Sequence, residues 1–133
     1  MNKIVHVSGT RKKAVARATV KEGKGVVRVN GILIDHLNPK MAMYKIMEPL
    51  QLAGNDATKI DVSINVNGGG WAAQADASRL ALARGLIEFT GSKSLRKVFL
   101  DYDRQLLVAD NRRNEPHKPN DSKPRSARQK SYR

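Results

Sequence analysis

A break in composition at Asp110 limits what this chain can fold into more than any other feature. From Asn111 to Arg133 the only large apolar side chain is Tyr132. Such a segment cannot bury enough apolar surface to offset the entropy of ordering it, and Pro116, Pro119 and Pro124 interrupt any helix. Residues 1–110 are therefore expected to carry the fold as one compact domain. Residues 111–133 are expected to form an extended basic tail, disordered without a partner. A domain of that length can bury a core without disulfides or metal.

Charge is spread over both parts. The chain carries 25 Lys and Arg against 12 Asp and Glu, a formal net charge of +13. That exceeds the roughly 2–8 usual for a small soluble domain. The tail holds eight cations against Glu115 and Asp121, a net +6, which leaves +7 on residues 1–110. So basic a chain implies a polyanionic partner, nucleic acid first among them. There is no cysteine, and His6, His36 and His117 are scattered. Neither a thiolate nor an imidazole metal site is expected, and no cofactor. No apolar run is long enough to cross a bilayer, so a cytoplasmic protein without a membrane partner is expected.

Within the first 110 residues the apolar spacing predicts an α+β domain of order β-β-β-α-β-α, with helices on one face of a sheet. Ala14, Ala16, Ala18 and Val20 alternate with Val15, Arg17, Thr19 and Lys21 as a half-buried strand. Val27 and Val29 continue past the Gly23-Lys24-Gly25 turn, and Asn30-Gly31 predicts a hairpin to Ile32-Leu33-Ile34. Together these read as a three-stranded meander. Asn38-Pro39 reads as the N-cap and first residue of a short helix over Met41 to Met47, disturbed at Pro49. Ile60, Val62, Ile64 and Val66 mark the clearest strand. Asn67-Gly68-Gly69-Gly70 then leads into a long helix from about Trp71 to Phe89, with Trp71, Ala75, Leu82, Leu86 and Phe89 on one stripe and Gly91 as its C-cap. A short helix over Leu95 to Leu100 and an apolar turn at Leu106-Leu107-Val108 follow.

Four features can carry chemistry. The first is Arg11-Lys12-Lys13 at a strand entrance, continued by Arg17, Lys21, Lys24 and Arg28. Several long donors on a rigid sheet suit phosphate, and a solvated charge run is the competing reading. The second is Gly68-Gly69-Gly70, where backbone amides and a helix N-terminus favour an anion, against a ligand-free tight connection. It lacks Walker A spacing, and Asp76 is the only carboxylate in the next turns, a weak magnesium site. The third is Arg79 and Arg84 on the long helix: Arg79 reads as reaching outward from the edge of the apolar stripe, Arg84 as a phosphate contact or a partner of Glu88. The fourth is the tail, whose Arg112, Arg113, Lys123, Arg125, Arg128, Lys130, Tyr132 and Arg133 combine phosphate neutralisation with stacking on unpaired bases. No catalytic set emerges: no serine sits in a nucleophile elbow, and Asp101 and Asp103 read as helix-end residues. An enzyme is not expected.

These motifs resemble a known family. Gly9-Thr10-Arg11-Lys12-Lys13-Ala14-Val15-Ala16-Arg17, Val29-Asn30-Gly31, Gly68-Gly69-Gly70 with Gln74-Ala75, and Arg79 through Ala83-Arg84-Gly85-Leu86 are similar to the signatures of the universal small-subunit ribosomal protein nine family. Tyr102 to Asp110 and the ending Gln129-Lys130-Ser131-Tyr132-Arg133 resemble its archaeal and eukaryotic form. The resemblance covers essentially the whole chain. It implies a fold with a left-handed βαβ crossover shared with some ATP-using kinases. It also implies rRNA of the small-subunit head as ligand and other head proteins as neighbours. The tail would then thread towards the decoding region, placing Lys130, Tyr132 and Arg133 near the anticodon stem-loop of the peptidyl-site tRNA. Two rivals remain: a small-molecule kinase of related fold, and a nucleic-acid-compacting protein outside the ribosome.

Overall fold

The structure is a computed structural model that describes residues 3–120, 123–126 and 131–132. Five strands form one mixed sheet: β1 (Ile4–Arg11), β2 (Ala14–Glu22), β3 (Val27–Val29), β4 (Ile32–Leu33) and β5 (Ile60–Asn67). Three α-helices accompany them: α1 (Lys40–Ala53), α2 (Trp71–Thr90) and α3 (Lys93–Tyr102). The α+β class holds, with the helices on one side of the sheet.

The strand order is β1-β2-β5-β3-β4. This corrects the expected meander, because β5 lies between β2 and β3. It is antiparallel to β2 and parallel to β3. The parallel pair is joined through β4 and α1, which makes the βαβ crossover. Pairing follows the apolar phase of each strand, since a slip of one residue would turn every side chain to the wrong face. Val5, Val20, Val62 and Val27 form one buried row, and Val7, Ala18, Ile64 and Val29 the next.

β1 is a strand that the sequence pattern did not announce. Its third inward position is Gly9, where an apolar residue would have completed the alternation. The reason is the approach of α2: a Cβ on Gly9 would lie 2.5 Å from the Ala77 carbonyl oxygen and 2.7 Å from the Ala81 nitrogen. Gly85 is held equally close, with Val20 Cγ2 2.7 Å from where its Cβ would stand. Glycine and the alanines of β2 (Ala14, Ala16, Ala18) thus let α2 lie almost directly on the sheet. α1 and α3 pack on α2 in turn. α2 is consequently buried around most of its girth, from Ala75 to Leu86.

Other boundaries differ for packing reasons. Pro39, not Asn38, is the N-cap of α1, and the Asn38–Pro39 peptide is cis. α1 continues through Pro49 to Ala53, because Pro49 is itself buried and Leu50, Leu52 and Ala53 pack against the core. α3 begins two residues earlier than expected, at Lys93, where it is capped by Ser92, whose side chain accepts from the Leu95 nitrogen, and runs two residues further, to Tyr102. Trp71 leaves the expected buried stripe and is 53% exposed. Asn30 and Gly31 have φ values of 51° and 82°, as the hairpin reading required, and Gly91 caps α2 with φ 66°.

Candidate nucleic-acid interface

Three segments far apart in sequence meet at one end of the sheet. Lys12 and Lys13 form the two-residue turn that closes the β1–β2 hairpin, since Arg11 pairs with Ala14. Lys12 takes φ 52°, a conformation that favours glycine. Against this turn lies the connection from β5 to α2. Gly68 and Gly69 have φ 82° and 65°, and a Cβ on Gly68 would overlap the Lys13 carbonyl oxygen. Gly70 is the N-cap of α2 and has open space where its Cβ would be. Gln74 Nε2 braces the loop by donating to the Gly68 carbonyl at 3.1 Å. The result is a cleft of about 370 Å³ lined by Lys12, Lys13, Gly69, Gly70, Ala73, Arg113 and Asn114. Among the described residues no acid pairs with Lys12, Lys13 or Arg113. Exposed cations beside backbone amides that no side chain caps can take a phosphate.

The face of the sheet away from the helices is a second cationic surface. The register sets His6, Thr19, Ser63 and Arg28 in one cross-strand row, and Ser8, Arg17 and Asn65 in the next. His6 Nδ1 lies 3.1 Å from Thr19 Oγ1. Arg17, Lys21 and Arg28 are exposed and, among the described residues, make no ion pair. The acid of the adjoining row, Asp61 opposite Lys21, is engaged from the turn: its Oδ1 accepts from the backbone nitrogens of Lys24 (2.8 Å) and Val26 (3.0 Å). Those bonds, Val26 first, and the charge of Lys21 hold its carboxyl below the usual carboxylate range. The sequence places Ser63 and Asn65 outward on this face but gives them no part in binding. Their signal was the polar phase of the same alternation that marked the core.

The arginines are placed differently. Arg79 does not reach outward: its guanidinium pairs with Glu48 at 2.5 Å and Asp103 at 3.1 Å, and its side chain is only 12% exposed. It ties α1, α2 and the end of α3 together. Arg84 makes no pair with Glu88 but donates to the carbonyls of Leu107 (3.1 Å) and Ser8 (2.9 Å). Arg11 donates to the Arg112 carbonyl and lies 3.5 Å from Asp110, fixing the root of the tail. Asp110 is chelated by Arg112, whose guanidinium and backbone nitrogen, with Arg11, hold its carboxyl far below the usual range. Asp76, the weak magnesium candidate, is taken up by Lys45 at 3.0 Å and Arg11 at 3.9 Å. Among the described residues no group of three or more His, Cys, Asp or Glu could hold a metal ion, and no helix is long and apolar enough to cross a membrane.

Residues 111–120 are exposed throughout and contain no helix. Arg125 forms a two-pronged pair with Glu115, with Nε 3.0 Å from each carboxylate oxygen, which raises the arginine pKa. Lys123 and Tyr132 are exposed. Arg128, Lys130 and Arg133 lie outside the described residues.

Residues 9–133 match the family described as ribosomal protein S9/S16. The chain is 52% identical to the small ribosomal subunit protein uS9 of Methanococcus maripaludis strain C7, over 98% of this chain and 99% of that one. It is 51% identical to the uS9 of Methanococcus vannielii with the same coverage. The archaeal type expected from the C-terminal ending fits these relatives. With a family match over nearly its full length and relatives above half identity, the chain belongs to the ribosomal protein S9/S16 family.

Proposed function

We propose that this protein is a structural, non-enzymatic constituent of the small ribosomal subunit in the cytoplasm, binding rRNA of the subunit head among other head proteins. The observation that carries the reading is the meeting of Lys12, Lys13, Gly69, Gly70 and Arg113 around one cleft. Phosphate contacts there fix the register of the domain on RNA. Arg17 and Arg28 on the open sheet face extend the contact. Arg11, Arg79 and Arg84 act at one remove, by holding the helices, β1 and the tail root in place. The tail residues Arg112, Arg113, Lys123, Arg125 and Arg128 bridge RNA segments that repel one another. Lys130, Tyr132 and Arg133 then reach the anticodon stem-loop of the peptidyl-site tRNA.

The test compares the full chain with a version ending at Asp110, on head rRNA and on duplex DNA, across a salt series. The full chain should prefer the rRNA. Truncation should flatten the log–log salt slope by about 0.7–0.9 for each phosphate that the tail neutralises, while some preference remains. Equal affinity of both versions for DNA and rRNA would replace the ribosomal reading with general nucleic-acid compaction. Subunits whose protein lacks residues 130–133 should assemble and bind peptidyl-site tRNA more weakly.

A further inference from the structure

The groove between α1 and α2 changes character along its length. Lys45 pairs with Asp76, and Glu48 with Arg79 three residues further on in both helices. The helices therefore advance in the same direction, with their first turns at the same end. One turn before Lys45 and Glu48, on the same stripe of α1, stand Met41 and Tyr44. The matching position before Asp76 on α2 is Ala72, with Trp71 beside it. Here, among the described residues, no ion pair closes the groove, and the large side chains are left out: Met41 is 61%, Tyr44 56% and Trp71 53% exposed. Ala72 is itself small and exposed. Three large apolar side chains, two of them aromatic, thus face solvent at one end of the molecule.

The charges around this patch indicate its occupant. In the first two turns of α1 and α2 the acid Asp76 is neutralised by Lys45 and Arg11. Lys40 is exposed beside Met41. On the other side, Trp71 follows Gly70, which lines the cleft with Lys12, Lys13 and Arg113. An exposed aromatic surface with cations next to it that, among the described residues, meet no acid suits a nucleotide whose base is out of its duplex, because an aromatic ring stacks on any base while cations take the flanking phosphates.

We propose that Trp71, with Tyr44 and Met41, forms a stacking platform for an unpaired RNA base whose adjoining phosphate sits in the Lys12–Lys13 cleft. This rests on the rRNA-binding reading and adds the nucleotide's conformation and the side chain that reads it. The platform selects single-stranded or bulged RNA over continuous duplex, which the cationic surfaces alone would not do.

Trp71 is the only tryptophan of the chain, so its fluorescence reports on this one position. The experiment titrates the full chain with a single-stranded RNA and with an RNA duplex of equal length, following Trp71 emission and, separately, anisotropy of labelled RNA. The single strand should quench Trp71, whereas the duplex should bind with little quenching. Trp71→Ala should weaken the single strand about tenfold, from the range seen for base–aromatic contacts, and leave the duplex unchanged. Trp71→Phe should restore part of the loss. Because Trp71 is half exposed, both variants should keep the parent melting temperature. RNA binding without quenching and without loss in Trp71→Ala would overturn the platform and leave the rRNA reading standing. Quenching by another head protein but not by RNA would reassign the patch to a protein partner. Absence of any RNA binding would overturn both.

Discussion

Arg79 and Arg84 on α2, and Lys12 and Lys13 on the β1–β2 turn, lie on adjoining elements and differ in what surrounds their nitrogens. The α2 arginines meet Glu48, Asp103 and the carbonyls of Ser8 and Leu107. The turn lysines, among the described residues, meet no acid and border an open cleft. The difference separates two uses of positive charge. A guanidinium held among acids and carbonyls inside the fold organises it and offers little to a phosphate. An ammonium held on a rigid turn without a partner remains free to bind one. In a chain of net charge +13, a count of cations does not separate these two uses; exposure and the absence of an acid neighbour do.

The widest separation should come from Arg79→Ala. It leaves Glu48 and Asp103 without their cation, and because each carboxylate is about a third exposed and screened by solvent, the loss should be about 2 kcal/mol, between the figures for exposed and buried pairs. Urea unfolding should show a lower midpoint, while the salt slope for RNA stays that of the parent. A variant of normal stability but flattened slope would place Arg79 on the RNA and break the comparison.

The reciprocal change is Lys12→Ala with Lys13→Ala and Arg113→Ala. Three exposed side chains leave the core intact, so stability should move by no more than about 0.5 kcal/mol. Affinity for rRNA should fall at least about tenfold, or 1.4 kcal/mol, and the salt slope should flatten by about 0.7–0.9 for each phosphate these cations neutralise. Unchanged binding would leave the cleft without a ligand.

What was readable in the sequence divides along the same line. β5, the glycine connection and α2 were legible because strict alternation, three glycines and a long apolar period agree with one another. β1 was not, because Gly9 stands at an inward position for the sake of the α2 backbone, a requirement set by an element about 70 residues later. The insertion of β5 between β2 and β3 was equally hidden, since neighbours in a mixed sheet are chosen by the crossover and not by strand patterns. At the site, the lysine turn and the glycines were legible as motifs but their juxtaposition was not. The duties of Arg79 and Arg84 depend on Glu48, Asp103, Ser8 and Leu107, partners that helical spacing within α2 cannot indicate.

Lys12 gives a test in which stability and binding should move in opposite directions. Its φ of 52° costs a side-chain-bearing residue about 1 kcal/mol relative to glycine. Lys12→Gly should therefore raise the unfolding midpoint slightly while weakening rRNA binding by the share of one phosphate. A lysine kept at a glycine position is then explained by what it binds. Loss of stability in this variant would show that Lys12 works within the fold, like Arg79.

The smallest effect concerns the one acid of the open sheet face. Asp61 has a carboxyl pKa below its ordinary 3.8, held there by the Val26 and Lys24 nitrogens and by Lys21. A carboxylate whose pKa is depressed by folding adds stability that is complete above the unfolded value and disappears as pH falls through the folded one. Asp61→Asn should therefore be less stable than the parent at pH 7, and the two should converge below pH 3.8 once the parent's Asp61 is protonated. Asp110, depressed in the same sense by Arg112 and Arg11, remains in both proteins, so the acid limb narrows without vanishing. At neutral pH the same substitution removes the negative charge from a surface otherwise furnished with Arg17, Lys21 and Arg28. RNA should then bind slightly more tightly to the less stable protein, most visibly at low salt. If binding weakened together with stability, the face would depend on the turn geometry that Asp61 maintains, and its free cations would not suffice to hold RNA.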